Sequence, residues 1–492
     1  MQKMKVALVA AECAPFAKTG GLGDVVGALA AALVRAGVDV RVILPCYRAI
    51  ARPDGDWPVI AALTDGVVRE ATLPSGVTVW LLDRPDLFDR PGFYQDAEGH
   101  DFADNAIRFG WFGKRAAEIV SGGHSVQGWK ADVVHAHDWH AGLVPLWLGF
   151  KTGSPPTVQT IHNLAFQGCF PSDTVASLGL PPASYQADGA EFYGRLSFLK
   201  AGLYYSDAIT TVSEGYAEEI TTTEFGFGME GLLQARREDL SGIRNGIDTQ
   251  EWNPATDRWI AQAYDRDHLN GKAVNKRVLQ EALGLCADAA APLCGMVSRM
   301  TWQKGTDIVI ETAERLIGAG AQLVLLGNGE RPLEQAAVAL AARHPAAVAV
   351  RIGFDERLAH KIEAGADIFL MPSRFEPCGL NQMYSQRYGT PPVARATGGL
   401  RDTIAAYDDT ASLGSATGFL FYEDHAESLW GALEGALALY RRKESWVRLQ
   451  RNGMDRDFGW HESASRYLAL YRRVAARKKE SGHLAEHAVR QR

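Results

Sequence analysis

Short apolar runs alternate with helical patterns along almost the whole chain of 492 residues. The runs are rich in Val, Ile and Leu and are bounded by Gly, Pro or Asp, as is typical of parallel strands covered on both faces. They fall at residues 6–11, 38–44, 77–82, 132–135, 157–161 and 208–212, and again from residue 292 onward at 293–297, 322–326, 347–352, 367–371 and 392–394. The alternation predicts two doubly wound α/β domains built from right-handed βαβ units.

The domain boundary is expected between Asn245 and Asn275, where turn residues are frequent and hydrophobic periodicity is weak. We therefore predict a first domain over residues 1–250 and a second over 251–460. Residues 461–492 are expected to form a last helix, over 463–476 with Ser463 as its N-cap, followed by a frayed polar tail. The helix is expected to return to the first domain. We expect a deep cleft between the two domains.

Composition excludes several classes of partner. The net charge of -7 argues against binding to nucleic acid or to an anionic membrane. The six cysteines are scattered and form no CxxC pair, as in a reduced cytoplasmic protein. The first apolar run is short and interrupted by Glu12, which favours a buried strand over a signal peptide.

A Thr-Gly-Gly-Leu sequence occurs twice, each time after an apolar run and before a helical pattern. The first turn (residues 19–22) contains Gly20 and Gly21 and follows Lys18, and the second turn (residues 397–400) contains Thr397, Gly398 and Gly399. Such a turn presents backbone N–H groups and lets a ligand approach without a Cβ in the way. Two of them predict two nucleotide-binding-type domains that bind one polyphosphate ligand.

Polar residues follow several of the predicted strands, where ligands of open α/β sheets bind. Asp138 and Trp139 follow one strand, His162 follows the next, and Arg299 and Lys304 follow the first strand of the second domain. A diphosphate needs positive charge, which the guanidinium and the ammonium group supply. Their shared position at strand ends predicts a ligand-binding cleft. Arg374 fits a salt bridge equally well, so it stays unassigned.

Glu376 follows another predicted strand, in the segment Glu-Pro-Cys-Gly-Leu. A carboxylate in this position costs free energy unless it is paired or functional. It suits the stabilisation of positive charge at an anomeric carbon, and the amides of Gly379 and Leu380 at a helix start suit hydroxyl or phosphate oxygens. The alternative is an acid that stabilises the helix N-terminus. Cys378 has no paired His in its motif, so we interpret it as a packed small residue rather than a nucleophile and include it, with Gly379 and Leu380, among the predicted substrate-binding residues.

The run from His135 to His140 suggests a metal site, but its spacing does not fit. Metallo-hydrolases of the β-lactamase type have the pattern His-x-His-x-Asp-His, in which one residue separates Asp from the second His. Here Asp138 directly follows His137. No further His or carboxylate cluster completes a ligand set. Hydrogen bonds from His137, Asp138 and His162 to sugar hydroxyl groups are the alternative, with Trp139 offering an apolar face to a pyranose ring.

At this point the sequence resembles the bacterial glycogen synthase and plant starch synthase family, which are retaining glucosyltransferases of the GT-B fold. The resemblance runs through most of the chain, and the Lys-Thr-Gly-Gly-Leu and Glu-Pro-Cys-Gly-Leu pair in this order is highly specific to it. The segments that carry it are residues 18–22, 92–94, 104–105, 135–139, 161–163, 244–248, 299, 304–305, 373–380 and 397–400.

The resemblance implies transfer of glucose from ADP-glucose to the non-reducing 4-OH of an α-1,4-glucan. The implied roles are as follows: Lys18, Gly20 and Gly21 contact the nucleotide sugar; Arg299 and Lys304 neutralise the leaving diphosphate; His162, Asp138 and Asn245 hold the glucose; Glu376 lies near the anomeric centre; Tyr94 and Trp139 serve the sugar and acceptor side; and Phe354 stacks on the base. No metal and no other cofactor is implied. Front-face attack is the favoured mechanism.

One position departs from the family's relatives, which often carry a second Glu eight residues after the first. Here that position is Tyr384, so ribose recognition must be done otherwise. The alternatives that remain are a related transferase using UDP-glucose and a non-catalytic glucan-binding homologue. A phosphorylase shares the fold but requires a lysine-bound pyridoxal phosphate, whose absorbance would be visible in the purified protein. A nicotinamide dehydrogenase is disfavoured because neither Gly-Gly turn reads GxGxxG.

Overall fold

A computed structural model describes residues 3–50, 56–96, 99–123, 126–409 and 412–490, with side chains up to residue 480. The chain divides into two compact units. The first unit comprises Met1–Val212, Ala217–Gly246 and Trp460–Arg492, and the second comprises Ser213–Tyr216 and Ile247–Gly459. Both units are α/β structures dominated by parallel sheet.

Nine strands of the first unit form one sheet in the order β12-β11-β7-β6-β1-β2-β5-β4-β3. All neighbours are parallel except β3 with β4 and β4 with β5. A second, antiparallel sheet has the order β8-β10-β9. The strands are β1 (Lys5–Val9), β2 (Asp39–Pro45), β3 (Val59–Leu63), β4 (Gly66–Thr72), β5 (Thr78–Asp83), β6 (Val133–His137), β7 (Thr157–Ile161), β8 (Cys169–Phe170), β9 (Glu191–Phe192), β10 (Arg195–Ser197), β11 (Ala208–Thr211) and β12 (Leu240–Gly242).

The second unit contains one six-stranded sheet, parallel throughout, in the order β15-β14-β13-β16-β17-β18. Its strands are β13 (Leu293–Val297), β14 (Gln322–Gly327), β15 (Val348–Ile352), β16 (Ile368–Met371), β17 (Pro392–Arg395) and β18 (Phe419–Phe421). The central strands are buried almost completely, because helices cover both faces of a doubly wound sheet.

The helices follow the strands as the sequence pattern predicts. They are α1 (Gly21–Arg35), α2 (Pro85–Phe88), α3 (Asn105–Val120), α4 (Leu143–Gly149), α5 (Thr174–Ser177), α6 (Phe198–Tyr205), α7 (Glu214–Glu219), α8 (Glu230–Ala235), α9 (Asn270–Leu283), α10 (Thr306–Gly318), α11 (Arg331–Arg343), α12 (Glu356–Gly365), α13 (Asn381–Arg387), α14 (Gly398–Thr403), α15 (Ala426–Tyr440), α16 (Lys443–Met454) and α17 (Trp460–Arg490). Short 3-10 turns span Trp139–Ala141, Pro182–Ser184, Arg237–Asp239, Trp302–Lys304 and Ser412–Gly414. No helix in these described ranges is long and apolar enough to cross a membrane.

The sequence prediction for the last helix is wrong at both ends. The helix begins at Trp460 and continues to Arg490, through the region predicted as a frayed tail. Ser463 is not its N-cap, since its hydroxyl donates to the carbonyl of Arg244 at 2.5 Å. Aromatic residues of α17, including Tyr467 and Tyr471, are buried in the core of the first unit, which fixes the helix.

Candidate active site

The first turn lies at a reversal of strand order in the first unit. It follows β1, which has β2 on one side and β6 on the other. Connections leave such a strand towards opposite faces of the sheet, and the crevice they leave beyond the carboxyl ends is where ligands bind. His137, at the end of β6, and His162, directly after β7, lie at the same edge of the sheet.

The first turn is held by a buried carboxylate that the sequence analysis did not assign to the site. Glu12 is only 3% exposed. It accepts hydrogen bonds from the amide of Thr19 at 2.7 Å, from the Thr19 hydroxyl at 2.6 Å and from the Tyr94 hydroxyl at 2.7 Å. The signal was present, because an acid inside an otherwise buried apolar run needs hydrogen-bond partners.

The surface of the first turn is open. Gly20 has φ of -164°, an extended conformation that any residue adopts. A Cβ added at Gly20 or Gly21 would meet no atom within 4 Å. Neither backbone strain nor packing therefore requires glycine at these positions, and the approach of a ligand to the backbone stays a prediction. Lys18 lies beside the turn and forms an ion pair with Asp24 at 2.8 Å.

Asp138 and His162 are fixed to each other. Oδ1 of Asp138 accepts a hydrogen bond from the backbone amide of His162 at 2.7 Å, and Asp138 has a positive φ of 54°. Burial raises the pKa of Asp138 to about 7, although amide hydrogen bonds from His162 and Asn163 oppose the rise. Burial lowers the pKa of His162 to about 3, so its imidazole is neutral at pH 7. A side-chain hydrogen bond of 2.9 Å joins Nε2 of His162 to Nδ1 of His137.

Trp139 and Asn245, also in the first unit, lie in different surroundings. The indole of Trp139 stacks on the imidazole of His140 with ring centroids 3.9 Å apart, and a Cβ added at Gly168 would be 2.5 Å from an indole carbon. It is thus held among protein groups, and its contact with a sugar stays a prediction. Asn245 is 4% exposed, and its Oδ1 has no hydrogen-bond partner in the described part of the chain.

The second unit has a reversal of strand order at β13, which lies between β14 and β16. Lys304 follows β13 and Glu376 follows β16, and their side chains form an ion pair with Nζ and Oε2 2.5 Å apart. The Ser373 hydroxyl donates to the same carboxylate oxygen at 2.9 Å. Both ionic side chains are largely buried, so their interaction is only weakly screened by solvent.

A pocket surrounds this ion pair, again beyond the carboxyl ends of the strands. It is lined by Met296, Val297, Ser298, Lys304, Leu370, Met371, Ser373, Glu376, Gly379, Leu380 and Asn381. The structure thus brings Lys304, Glu376, Gly379 and Leu380 together, as the sequence predicted. Leu380 precedes α13 as its N-cap residue, one position away from the predicted helix start.

Arg299 and Phe354 do not line the pocket. Arg299 is exposed and donates from Nη2 to Oε1 of Gln303 at 3.2 Å. Phe354 is 80% exposed in the loop after β15. Arg374, which the sequence analysis left unassigned, forms an ion pair with Asp307 at 2.7 Å.

The second turn is closed by a neighbouring segment. A Cβ added at Gly399 would be 2.1 Å from the carbonyl oxygen of Cys378. The amide of Gly399 donates to the carbonyl of Glu376 at 3.1 Å, and Gly398 has a positive φ of 43°. These glycines therefore have a structural reason of their own, and ligand contacts at Thr397, Gly398, Gly399 and Cys378 stay predictions.

Tyr384, at the position of the second Glu, has a packing role. Its ring stacks on Trp252 with centroids 3.9 Å apart and planes 14° apart, and Trp252 stacks on His360 with the same spacing. The described residues contain no group of three or more His, Cys, Asp or Glu side chains arranged to hold a metal ion. The predicted absence of a metal is not tested by that observation.

Comparisons with known proteins find matches along nearly the whole chain. Residues 5–235 match the family model described as the starch synthase catalytic domain, and residues 288–453 match the model of group 1 glycosyl transferases. A glycogen synthase of Nitrosospira multiformis is 49% identical over 95% of this chain and 97% of the relative. One from Aromatoleum aromaticum is 50% identical, with 95% of this chain and 97% of the relative covered.

Solved structures of glycosyltransferases resemble this chain along nearly its full length. The catalytic domain of starch synthase IV from Arabidopsis thaliana, bound to ADP and acarbose, superposes with a TM-score of 0.87 at 33% identity, covering 96% of this chain and all of that one. Sucrose-phosphate synthase from Thermosynechococcus elongatus, at 18% identity and a TM-score of 0.61, shares the fold. Fold and site together define a glycosyltransferase of the GT-B class, as predicted. The chain belongs to the family of glycogen and starch synthases.

Proposed function

We propose that this protein transfers glucose from ADP-glucose to the non-reducing 4-OH of an α-1,4-glucan with retention of the α configuration. The observation that carries the proposal is the buried ion pair of Lys304 and Glu376 at the strand reversal of the second unit. It stands in a chain that is about half identical to glycogen synthases along nearly its full length. No cofactor takes part in the proposed reaction, and we place the protein in the cytoplasm.

The second domain (residues 251–460) is proposed to hold the nucleotide sugar. Lys304 and Arg299 neutralise the leaving diphosphate, and Glu376 stabilises positive charge that develops at the anomeric carbon. In the structure Lys304 and Glu376 neutralise each other. Arrival of a diphosphate gives the ammonium group a second anionic partner, which leaves the carboxylate free to face the sugar. Phe354 is exposed in its loop and is available to stack on the base.

The first domain (residues 1–250), to which the last helix (within residues 461–492) is assigned, is proposed to serve the acceptor side and to contact the glucose. Lys18 and the amides of Gly20 and Gly21 contact the nucleotide sugar. His162, Asp138 and Asn245 hold the transferred glucose, and the unpartnered Oδ1 of Asn245 is available to accept from a hydroxyl group. Tyr94 and Trp139 complete the sugar and acceptor side.

Retention is proposed to arise by front-face attack, in which the leaving phosphate assists deprotonation of the acceptor hydroxyl. The glucan 4-OH forms the new glycosidic bond as the bond to the diphosphate breaks, and the proton leaves with the phosphate. Trapping a covalent glucosyl adduct on Glu376 would instead establish double displacement.

The test is transfer of radiolabelled glucose to glycogen from ADP-glucose and, separately, from UDP-glucose, without added metal. Incorporation from ADP-glucose alone is the expected result. Incorporation from UDP-glucose alone would keep the reaction class and replace the donor. No incorporation from either donor by the folded protein would favour a non-catalytic glucan-binding protein.

A further inference from the structure

Only one ring nitrogen of His137 has a hydrogen-bond partner in the described ranges. Its Nδ1 lies 2.9 Å from Nε2 of His162, while its Nε2 is buried and has no hydrogen-bond partner within the described ranges. The residue is the last of β6 and is fully buried, with its ring 4.1 Å from that of His135. His135 in turn is tied to Thr160 and Tyr471. The imidazole of His137 is therefore held firmly in place.

Both imidazoles of this pair are neutral at pH 7. Burial, with smaller contributions from His135 and His162, lowers the pKa of His137 well below its ordinary value, and burial lowers the pKa of His162 to about 3. A neutral imidazole carries one N–H, so a single proton lies between the two facing nitrogens. Which ring owns that proton decides the tautomer of both.

The unpartnered nitrogen of His137 selects between the two arrangements. If His162 donated to Nδ1 of His137, the proton of His137 would sit on Nε2, and a buried N–H would have no acceptor. Orphaned buried N–H groups are rarer than acceptors without a partner. If His137 donates instead, its Nε2 carries only a lone pair and His162 carries its proton on Nδ1. In the second arrangement the atom of this pair that lacks a partner in the described ranges, Nε2 of His137, is an acceptor, and Nδ1 of His162 is not one of the buried atoms without a partner there.

We propose that His137 is a positioning residue that donates to Nε2 of His162 and so fixes His162 as an Nδ1–H donor towards a sugar oxygen. This inference rests on the proposed function, in which His162 contacts the transferred glucose. The backbone of His162 is held independently by Asp138 at 2.7 Å, so His137 controls the orientation and the proton of the ring. A ligand would then meet a donor of fixed direction.

Two substitutions at one position separate positioning from packing. In His137→Asn the side-chain amide can replace the Nδ1–H donor, whereas His137→Leu fills similar volume without a donor. We expect His137→Leu to lower kcat for transfer from ADP-glucose about 10- to 100-fold, with little change in the KM for glycogen. We expect His137→Asn to restore most of the lost turnover. Unfolding in urea is measured for both variants.

A double-mutant cycle supplies the decisive result. If His137 acts through His162, then His137→Leu has no further effect on kcat in a His162→Ala background. An equal loss in both backgrounds, or equal activity of the Leu and Asn variants, would overturn the proposal. An unchanged kcat in His162→Ala would also overturn it and would remove His162 from the site. Failure of the wild-type protein to use any nucleotide sugar is a separate outcome, which would refute the proposed function itself.

Discussion

The two Thr-Gly-Gly-Leu turns have the same sequence but opposite surroundings. The glycines of the first turn leave open space above the backbone, whereas Gly399 of the second turn packs against the carbonyl of Cys378. The first turn is anchored by the side chain of Glu12, and the second by the backbone carbonyl of Glu376. A repeated glycine motif therefore does not by itself indicate a repeated function, because glycine leaves open space above the backbone in one place and permits close packing in the other.

Alanine substitutions in the two turns should have different effects on stability. Gly399→Ala places a Cβ 2.1 Å from a backbone oxygen, so we expect a loss of about 1–3 kcal/mol in the free energy of unfolding, or failure to fold. Gly20→Ala meets no atom within 4 Å, and because Gly20 is the N-cap residue of α1, where alanine is less favourable than glycine, it should cost no more than about 1 kcal/mol. Urea denaturation of both variants checks the pair. Equal losses would remove the distinction between the turns.

Removing the side chain of Glu376 should separate catalysis from the anchoring of the second turn. Its backbone carbonyl remains available to the amide of Gly399 in Glu376→Ala, so the fold should persist. Turnover should fall about 100-fold or more because Glu376 is the only carboxylate among the described residues that line the pocket, while ADP binding stays nearly intact. Loss of both activity and ADP binding would point to a structural role.

Two further variants serve as comparisons for Glu376→Ala. Glu427→Ala removes an acid of the same unit that is exposed and paired with Arg315, and it should leave transfer unchanged. Lys304→Ala should raise the KM for ADP-glucose strongly. Unchanged kinetics of Lys304→Ala would remove that residue from the site.

Loss of the Glu12 anchor should have a smaller effect on turnover than loss of the Glu376 carboxylate, but it should lower the free energy of unfolding by more than the loss of a single hydrogen bond. Glu12→Gln disrupts a set of acceptor interactions with Thr19 and Tyr94, so we expect a loss of about 1–3 kcal/mol in unfolding free energy and weaker binding of ADP-glucose. Tyr94→Phe removes one of these bonds and should cost about 0.5–1.5 kcal/mol. A larger effect in Tyr94→Phe would contradict the assignment of Glu12 as the anchor.

Low pH is expected to destabilise the first unit, which contains the first turn. The pKa values of His135 and His162 are lowered to about 3 by burial, whereas an exposed histidine titrates near 6.5. Unfolding therefore takes up protons below pH 6.5, and the contribution of each histidine to stability, complete above 6.5, falls by about 1.4 kcal/mol per pH unit towards pH 3.

Asp138 has the opposite sign, because its pKa is raised to about 7 by burial. Its protonated form favours the native state between about pH 4 and 7, which offsets one histidine. The denaturation midpoint of the wild type should be lower at pH 5 than at pH 7. The difference between the two pH values should be larger in Asp138→Asn. No pH dependence in this range would contradict the burial of neutral histidines.

Periodic features of the sequence were predicted well. Parallel strands buried on both faces read as continuous apolar runs, and the bounds of β7 and β13 match their predicted ranges. The strand pair β3 and β4 and the small sheet of β8, β9 and β10 were missed, because their strands are short or only half-buried. The full length of α17 was missed because its last turns are polar.

How much of the site can be predicted depends on which contacts leave a pattern in the sequence. Placement at strand ends follows from the alternation of strands and helices, so the sequence could predict that Lys304 and Glu376 lie at the same edge of the sheet. Partners distant in the sequence leave no local signal, and this is why Glu12 with Tyr94 and the hydrogen bond between His137 and His162 emerge only from the structure. The contrast between the two turns likewise depends on a distant segment, that of Cys378.

The most direct test of the account is calorimetric titration of ADP into the wild-type protein and into Gly20→Val. The extended φ of Gly20 and the open space around an added Cβ leave room for the first side-chain atom of valine. If the first turn receives the nucleotide sugar, the Kd for ADP should rise about 10-fold or more, while the free energy of unfolding should fall by no more than about 1 kcal/mol because valine is a poorer N-cap residue than glycine. An unchanged Kd in a fully folded variant would contradict the claim that the open turn is a ligand-binding surface.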